Sequence, residues 1–356
     1  MNLKNLRQSL KQAFIRQFLR LMNTEEMRHA LVRSFPDYSD IRRRISTYPD
    51  PYRASQPVKH KPSQHPPIFI TGRFRSGSTL LWNIFRNLDG HTAYYEPFNE
   101  RRWFDMEQRG QHTDNTHRGV SEYWSEYTGL GELADHYHED WIRHHLYMDE
   151  QVFDFDMKAF INTLIFSAEG RAVLQFNRAD FRLGWLRANY PQAHIVHIFR
   201  HPRDQWCSVI QDIQQYPSSA ISAQGFTDHF YLRIWSLDLS HQFPFLADYQ
   251  GRHQYYLFYL LWKLSYCFGC HYADISVAME NLTNCPESTV HSILKAIDGT
   301  GTGTGTGNGM PENIDLSFVK PTESRWLEYA PASWFQVVED ECDAVIGEFL
   351  QGEPKS

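Results

Sequence analysis

The chain has 356 residues, with 42 Asp and Glu against 35 Lys and Arg, for a formal charge of −7. Mixed signs with an acidic surplus argue against a general nucleic-acid binder, which is normally basic overall or on one face. Five cysteines, odd in number and without framework spacing, exclude a disulfide scaffold and point to a reducing, cytoplasmic setting.

Residues 1–35 read as a basic helical arm. Leu3, Leu6, Leu10, Phe14, Phe18 and Leu21 recur at helical spacing with Lys4, Arg7, Lys11, Arg16 and Arg20 between them, and no acidic residue precedes Glu25. Such a stripe either packs on the main domain or lies on an anionic membrane surface as a peripheral contact. Charged residues interrupt each of its apolar runs, so it does not read as a secretory signal. A proline-rich linker follows, which sets the arm and linker at residues 1–62 and the main domain at 63–356.

The main domain opens with a strand at 67–71, a helix at 78–87 and a strand at 92–96. A polar, aromatic and histidine-rich stretch over about 100–148 reads as helical insertions and loops. A strand at 152–159 is expected from Val152, Phe153, Phe155 and Met157, then a helix at 179–189, a strand at 194–199 and a helix at 203–213. A long apolar helix near 255–270 precedes a strand at 275–279. The stretch 255–273 is the nearest approach to a membrane span, but Lys263, Ser265 and His271 make it a buried helix instead. The Gly/Thr tract at 299–309 lacks the spacing of a phosphate cradle and reads as a flexible surface loop. Alternating strands and helices predict an α/β fold, a P-loop-type parallel sheet flanked by helices on both faces, with ligands at the C-terminal strand ends.

The chemistry gathers at such an end. After the first strand the chain runs Thr71-Gly72-Arg73-Phe74-Arg75-Ser76-Gly77-Ser78-Thr79, the spacing of a nucleotide-binding P-loop. Backbone N–H groups and a helix N-terminus there present themselves to a phosphate. The lysine that an ATPase or GTPase sets on its β/γ-phosphates is replaced by Ser78, and the cation stands inside the loop as Arg75. The second anchor is Phe199-Arg200-His201-Pro202-Arg203-Asp204, with Ser208 two turns into the next helix. A strand-end arginine and a helix serine can converge on one phosphate. Alone, Arg200 serves equally well in a structural ion pair.

Together these segments resemble the sulfotransferases that use 3′-phosphoadenosine 5′-phosphosulfate (PAPS). In that family a basic residue followed by Ser-Gly-[Ser/Thr]-[Ser/Thr] binds the 5′-phosphosulfate, here Arg75, Ser76, Gly77, Ser78 and Thr79. A strand–Arg–x–Pro–x–Asp segment with a serine eight residues after the arginine binds the 3′-phosphate, here Arg200 and Ser208. Glu280-Asn281-Leu282, followed by Cys285-Pro286, is similar to the family's late Glu-Asp-Leu…Pro segment. An arginine at the loop position is closer to carbohydrate, tyrosyl-protein and bacterial members than to the cytosolic phenol and steroid enzymes. The resemblance implies transfer to an acceptor hydroxyl of a carbohydrate or glycolipid, adenosine 3′,5′-bisphosphate as product, and no metal.

Further roles follow from the resemblance. Glu96, ending the strand after the loop helix, corresponds to the general base of carbohydrate and tyrosyl-protein members; otherwise it is a structural glutamate paired with Arg101 or Arg102. Lys158 corresponds to a strand-end lysine that contacts the transferring sulfuryl group; otherwise it reaches solvent. Arg325 corresponds to a late basic residue at the 3′-phosphate. The histidine base of the cytosolic members has no counterpart, because Ala159-Phe160 follow Lys158. Two other functions stay open: a non-catalytic nucleotide- or glycan-binding relative, and a P-loop kinase or NTPase. The histidines at 136, 138, 144 and 145 suit a polar acceptor loop better than a metal site.

Overall fold

The computed structural model describes residues 11, 13–15, 17 and 65–352, apart from 112, 115, 211, 215, 222–224, 299–313 and 322. The chain divides into two compact units, Met1–Ala54 and Ser55–Ser356, so the first division falls a little before the expected residue 62. In the first unit the described residues Lys11, Ala13, Phe14, Ile15 and Gln17 are helical and exposed. The rest of the arm, the linker to residue 64 and the Gly/Thr tract lie outside the described residues.

The second unit is built on five parallel strands: β1 Ile68–Thr71, β2 His91–Tyr95, β3 Arg171–Phe176, β4 His194–Phe199 and β5 Ile275–Ala278. Their order is β2-β3-β1-β4-β5. β1 lies at the centre, with Phe69 opposite Leu174 on one side and Ile195 on the other. Its four residues are all buried, as expected for a parallel strand covered on both faces. The helices between them are α1 Ser78–Arg86, α2 Phe155–Ser167, α3 Leu183–Asn189, α4 Pro202–Ile210, α5 Leu232–Leu239 and α6 Gln254–Tyr272, of which α1, α2 and α6 pack directly on the strands. The chain continues through α7 Met279–Asn284, α8 Pro286–Asp298, α9 Trp326–Tyr329 and α10 Ala332–Gln351. One apolar core surrounds the sheet through residues such as Phe69, Trp82, Phe160 and Trp185. A second joins α4, α5, α6 and α10 through Trp206, Trp235, Tyr255 and Phe335. No described helix is long and apolar enough to cross a membrane; eleven of the nineteen residues of α6 are buried in the protein.

The expected strand at 152–159 is a correction. Residues 152–154 are irregular and α2 begins at Phe155. Apolar residues at 153, 155 and 157 imitate a strand period, but Asp154 is a helix cap whose carboxylate accepts the Met157 N–H at 3.0 Å. The strand itself is β3, fully buried and without the alternation that marks a half-buried strand. Its polar residues find internal partners for their donor groups. Arg171 donates to the Pro66 carbonyl at 2.8 Å and pairs with Asp298 at 2.6 Å, and Gln175 donates to Asn177 at 2.8 Å. The 100–148 stretch is mostly loop with short 3-10 turns such as Gly131–Asp135 and Glu139–Ile142.

Candidate active site

Because every strand is parallel, the five C-terminal ends meet at one edge of the sheet, where a cleft of about 1030 Å³ opens. The loop from β1 to α1 forms its floor. A Cβ on Gly72 would sit 2.4 Å from the Ile198 carbonyl oxygen, so only glycine lets the loop pass this close to β4. Gly77 has φ 93° and faces the Met279 side chain, and Arg75 adopts a left-handed φ of 67°. α1 starts with no side-chain cap and no acidic residue in its first turn. Gly77, Ser78 and Thr79 line the cleft, so free N–H groups and the positive end of the helix face an incoming anion.

The loop is braced from below. Gln205 in α4 donates to the Phe74 carbonyl at 2.8 Å. Arg73 lies 3.7 Å from Asp180, which accepts from Thr71 at 3.3 Å and from Ser265 at 2.9 Å. Burial pulls the Arg73 guanidinium below its usual range, opposed by Asp180, and burial likewise pushes the Asp180 carboxyl up against the pull of Arg73. This ion pair holds the loop from inside and does not reach the cleft.

The two sequence motifs meet directly. Arg75 Nε donates to Ser208 Oγ at 2.9 Å, although 133 positions separate them. Arg75 Nη1 also approaches Thr116 Oγ1 at 3.4 Å and Asp114 at 3.5 Å. Arg200 follows β4 and lines the same cleft. Among the described residues no carboxylate stands within ion-pair distance of it. Burial pulls its guanidinium below the usual range, offset in part by the charges of Asp204 and Glu280. The glutamate of the late motif acts on the backbone, where Glu280 accepts the His201 N–H at 2.9 Å and fixes the turn after Arg200.

Across the floor stands a second wall. Glu96 follows β2, is buried, and carries a strained φ of 38°. Its carboxylate accepts from Asn99 Nδ2 at 2.6 Å, from Arg178 Nη1 at 2.5 Å and from Asn177 Nδ2. The partner is therefore Arg178, not Arg101 or Arg102; Arg102 lies instead 3.9 Å from Glu139. Arg178 also donates to Glu100 at 2.5 Å. Burial works against its charge, but the two carboxylates outweigh burial and push its pKa above the ordinary arginine value. Asn177 ties this wall to the floor by accepting from Ser78 Oγ at 2.7 Å.

Arg75, Gly77, Ser78, Thr79, Glu96, Arg200, Ser208 and Arg325 all line the cleft, and Ser76 lies buried beneath them. Lys158 does not belong there. It sits in the first turns of α2, does not line the cleft, and its carbonyl accepts the Tyr190 hydroxyl at 3.2 Å. The error follows from reading α2 as a strand. The cation that does end a neighbouring strand is Arg178, two residues after β3. Asn177 and Arg178 escaped notice for the same reason, since nothing marks them until β3 is placed. Also missed was a cluster from the insertion, in which Tyr123 stacks on Tyr95 at 4.4 Å and its hydroxyl lies 2.6 Å from His117 Nδ1. Burial pulls His117 below the ordinary imidazole range, Asp114 opposes this, and Arg75 reinforces it.

Among the described residues no group of three or more His, Cys, Asp or Glu is placed to hold a metal ion. His136 and His138 instead bracket Asp156 at 3.1 and 2.8 Å.

An open helix N-terminus, a loop arginine and a half-buried arginine with no ion pair among the described residues, all at one edge of a parallel sheet, define an α/β protein with an anion-binding cleft. The model of the sulfotransferase family matches residues 66–259, more than half of the chain and from just before β1 into α6. The chain belongs to the sulfotransferase family. Among solved structures, the sulfotransferase domain from the curacin biosynthetic pathway is similar with a TM-score of 0.38 and 11% identity, over 79% of this chain and 98% of that one. No curated protein gives a significant match.

Proposed function

We propose that this sulfotransferase takes its sulfuryl group from PAPS and delivers it to a hydroxyl of a carbohydrate or glycolipid. The observation that carries the donor assignment is the Arg75–Ser208 hydrogen bond, which joins the two anion-binding motifs beside the unpaired Arg200. The N–H groups of residues 77–79 and Arg75 would receive the 5′-phosphosulfate, and Arg200, Ser208 and Arg325 the 3′-phosphate; the Ser76 N–H, expected to join them, is taken by the Arg73 carbonyl at 3.1 Å. An acceptor oxygen attacks sulfur in line with the bond to the 5′-phosphate. The new S–O bond forms as the old one breaks, and adenosine 3′,5′-bisphosphate leaves with the electron pair. Arg75 and the helix N-terminus face the oxygen where that charge collects, so positioning and electrostatics supply most of the rate.

Glu96 takes the acceptor proton in this scheme. Its guanidinium partner Arg178 is divided between Glu96 and Glu100. The hydrogen bonds from Asn99 and Asn177 hold the carboxylate in place for that transfer.

A titration of the full chain with adenosine 3′,5′-bisphosphate and with ATP, without metal, tests the donor. Tighter binding of the bisphosphate is expected; a preference for ATP refutes PAPS and favours a kinase or NTPase. A labelled-PAPS screen across glycans, glycolipids, phenols and peptides tests the acceptor class. Bisphosphate binding without transfer to any acceptor supports a non-catalytic relative.

A further inference from the structure

We propose that Asp204 is a positioning residue that clamps the late segment carrying Arg325 over the donor end of the cleft. The assignment to the donor rests on the function proposed above. Residues 316–321 and 323–326 cross this end, where Phe318, Lys320, Pro321, Glu323 and Arg325 line the cleft. The first turn of α4 grips the segment next to Arg325. Ser324 Oγ lies 3.0 and 3.1 Å from the two carboxylate oxygens of Asp204, and the Arg325 N–H donates to Oδ1 at 3.0 Å.

The neighbours of Asp204 complete the grip. The His201 ring lies parallel to Trp326, with centroids 6.2 Å apart at 10°. Arg203 stands 4.9 Å over the same indole, held by Glu339 through contacts of 2.9 and 2.6 Å. Residues 201, 203 and 204 thus hold residues 324–326 within a few positions of Arg200 and Ser208. The turn that presents Arg200 also sets the position of Arg325.

A carboxylate in an anion-binding cleft repels the donor, so its charge alone gives no benefit to binding. Its contacts with the Ser324 hydroxyl and the Arg325 N–H do, by holding a basic segment in place before the donor arrives. The two roles separate on substitution. Asn keeps an oxygen for the Arg325 N–H, and its amide can still meet the Ser324 hydroxyl; Ala keeps neither.

The test uses the full chain and two readouts. Hydrogen exchange over residues 323–329 reports the clamp without ligand: Asp204→Ala is expected to speed exchange about tenfold, Ser324→Ala less, and Asp204→Asn little. Adenosine 3′,5′-bisphosphate affinity reports the consequence: about tenfold weaker for Asp204→Ala, about threefold for Ser324→Ala, and largely recovered in Asp204→Asn. Unchanged exchange in both Asp204→Ala and Ser324→Ala overturns the clamp, as does an Asp204→Asn variant as impaired as Asp204→Ala. If Asp204→Ala does not fold, Ser324→Ala against Asp204→Asn carries the same comparison. A wild-type chain that exchanges as expected but does not bind the bisphosphate keeps the clamp, removes its role in donor affinity, and refutes the donor assignment itself.

Discussion

The two walls of the cleft are built in different ways. The donor wall consists of Arg75 in the loop after β1, Arg200 just after β4, and Ser208 in the helix that follows it. The opposite wall consists of side chains from distant segments: Glu96 after β2, Asn177 and Arg178 after β3, Tyr123 from the insertion, and Tyr231 before α5. Local backbone geometry makes the first; a network of hydrogen bonds and ring contacts makes the second. In the function proposed above, the first receives the donor's anions and the second serves the acceptor.

The largest effect that tests this division is on Glu96. Glu96→Gln keeps the shape of the side chain but loses the carboxylate, and a fall in turnover of roughly 10²- to 10⁴-fold is expected, the range of a lost general base. Bisphosphate affinity by calorimetry should change little, because Glu96 stands across the floor from Arg200. A variant that loses both together would mean that Glu96 holds Arg178 and the floor in place, with the proton going elsewhere.

Arg200→Ala comes next and reverses the pattern. A guanidinium bound to phosphate contributes about 1.5–3 kcal/mol, so bisphosphate binding should weaken roughly 10- to 100-fold. Added salt should shrink the gap by screening the attraction that Arg200 supplies in the wild type. An unchanged affinity would show that the charge of Arg200 serves the fold and not the donor.

Ser208→Ala probes the joint between the motifs. The Arg75–Ser208 bond is worth about 1 kcal/mol, so a loss of about fivefold in bisphosphate affinity is expected. Combined with Arg75→Ala, the two losses should fall short of their sum, since both remove the same contact.

The division also explains what was legible from sequence. The donor wall is a matter of short spacings: a glycine that admits a neighbouring strand, a helix start, an arginine before a proline. Such features are written within about ten consecutive residues, and Gly72, Arg75, Arg200 and Ser208 stand out before any fold is known. The parallel sheet was legible for the same reason, except where Asp154 starts a helix inside a strand-like alternation. The opposite wall depends on β3, whose buried arginine and glutamine hide it. Once β3 is misplaced, Lys158 takes the role of strand-end cation and Arg178 goes unseen. The pairing of Glu96 with Arg178 over 82 positions has no sequence signature at all. The same holds for the contacts of Asp204 with Ser324 and Arg325.

The smallest expected effect gives the finest view of the second wall. Tyr231 donates its hydroxyl to Glu100 at 2.8 Å, and its ring lies 5.7 Å from the Arg178 guanidinium carbon. Tyr231→Phe keeps the ring and frees one oxygen of Glu100, whose side chain is 39% exposed, so water can replace the lost donor. The cost should stay below about 1 kcal/mol. That predicts turnover within about threefold of wild type and unchanged bisphosphate affinity. The freed Glu100 would draw Arg178 more strongly and loosen its hold on Glu96, so the change should show in turnover more than in donor KM. A fall in turnover beyond about tenfold, with donor KM unchanged, would mean that the Tyr231 hydroxyl meets the acceptor itself. The acceptor wall would then extend past the Glu96–Arg178–Glu100 network to the start of α5.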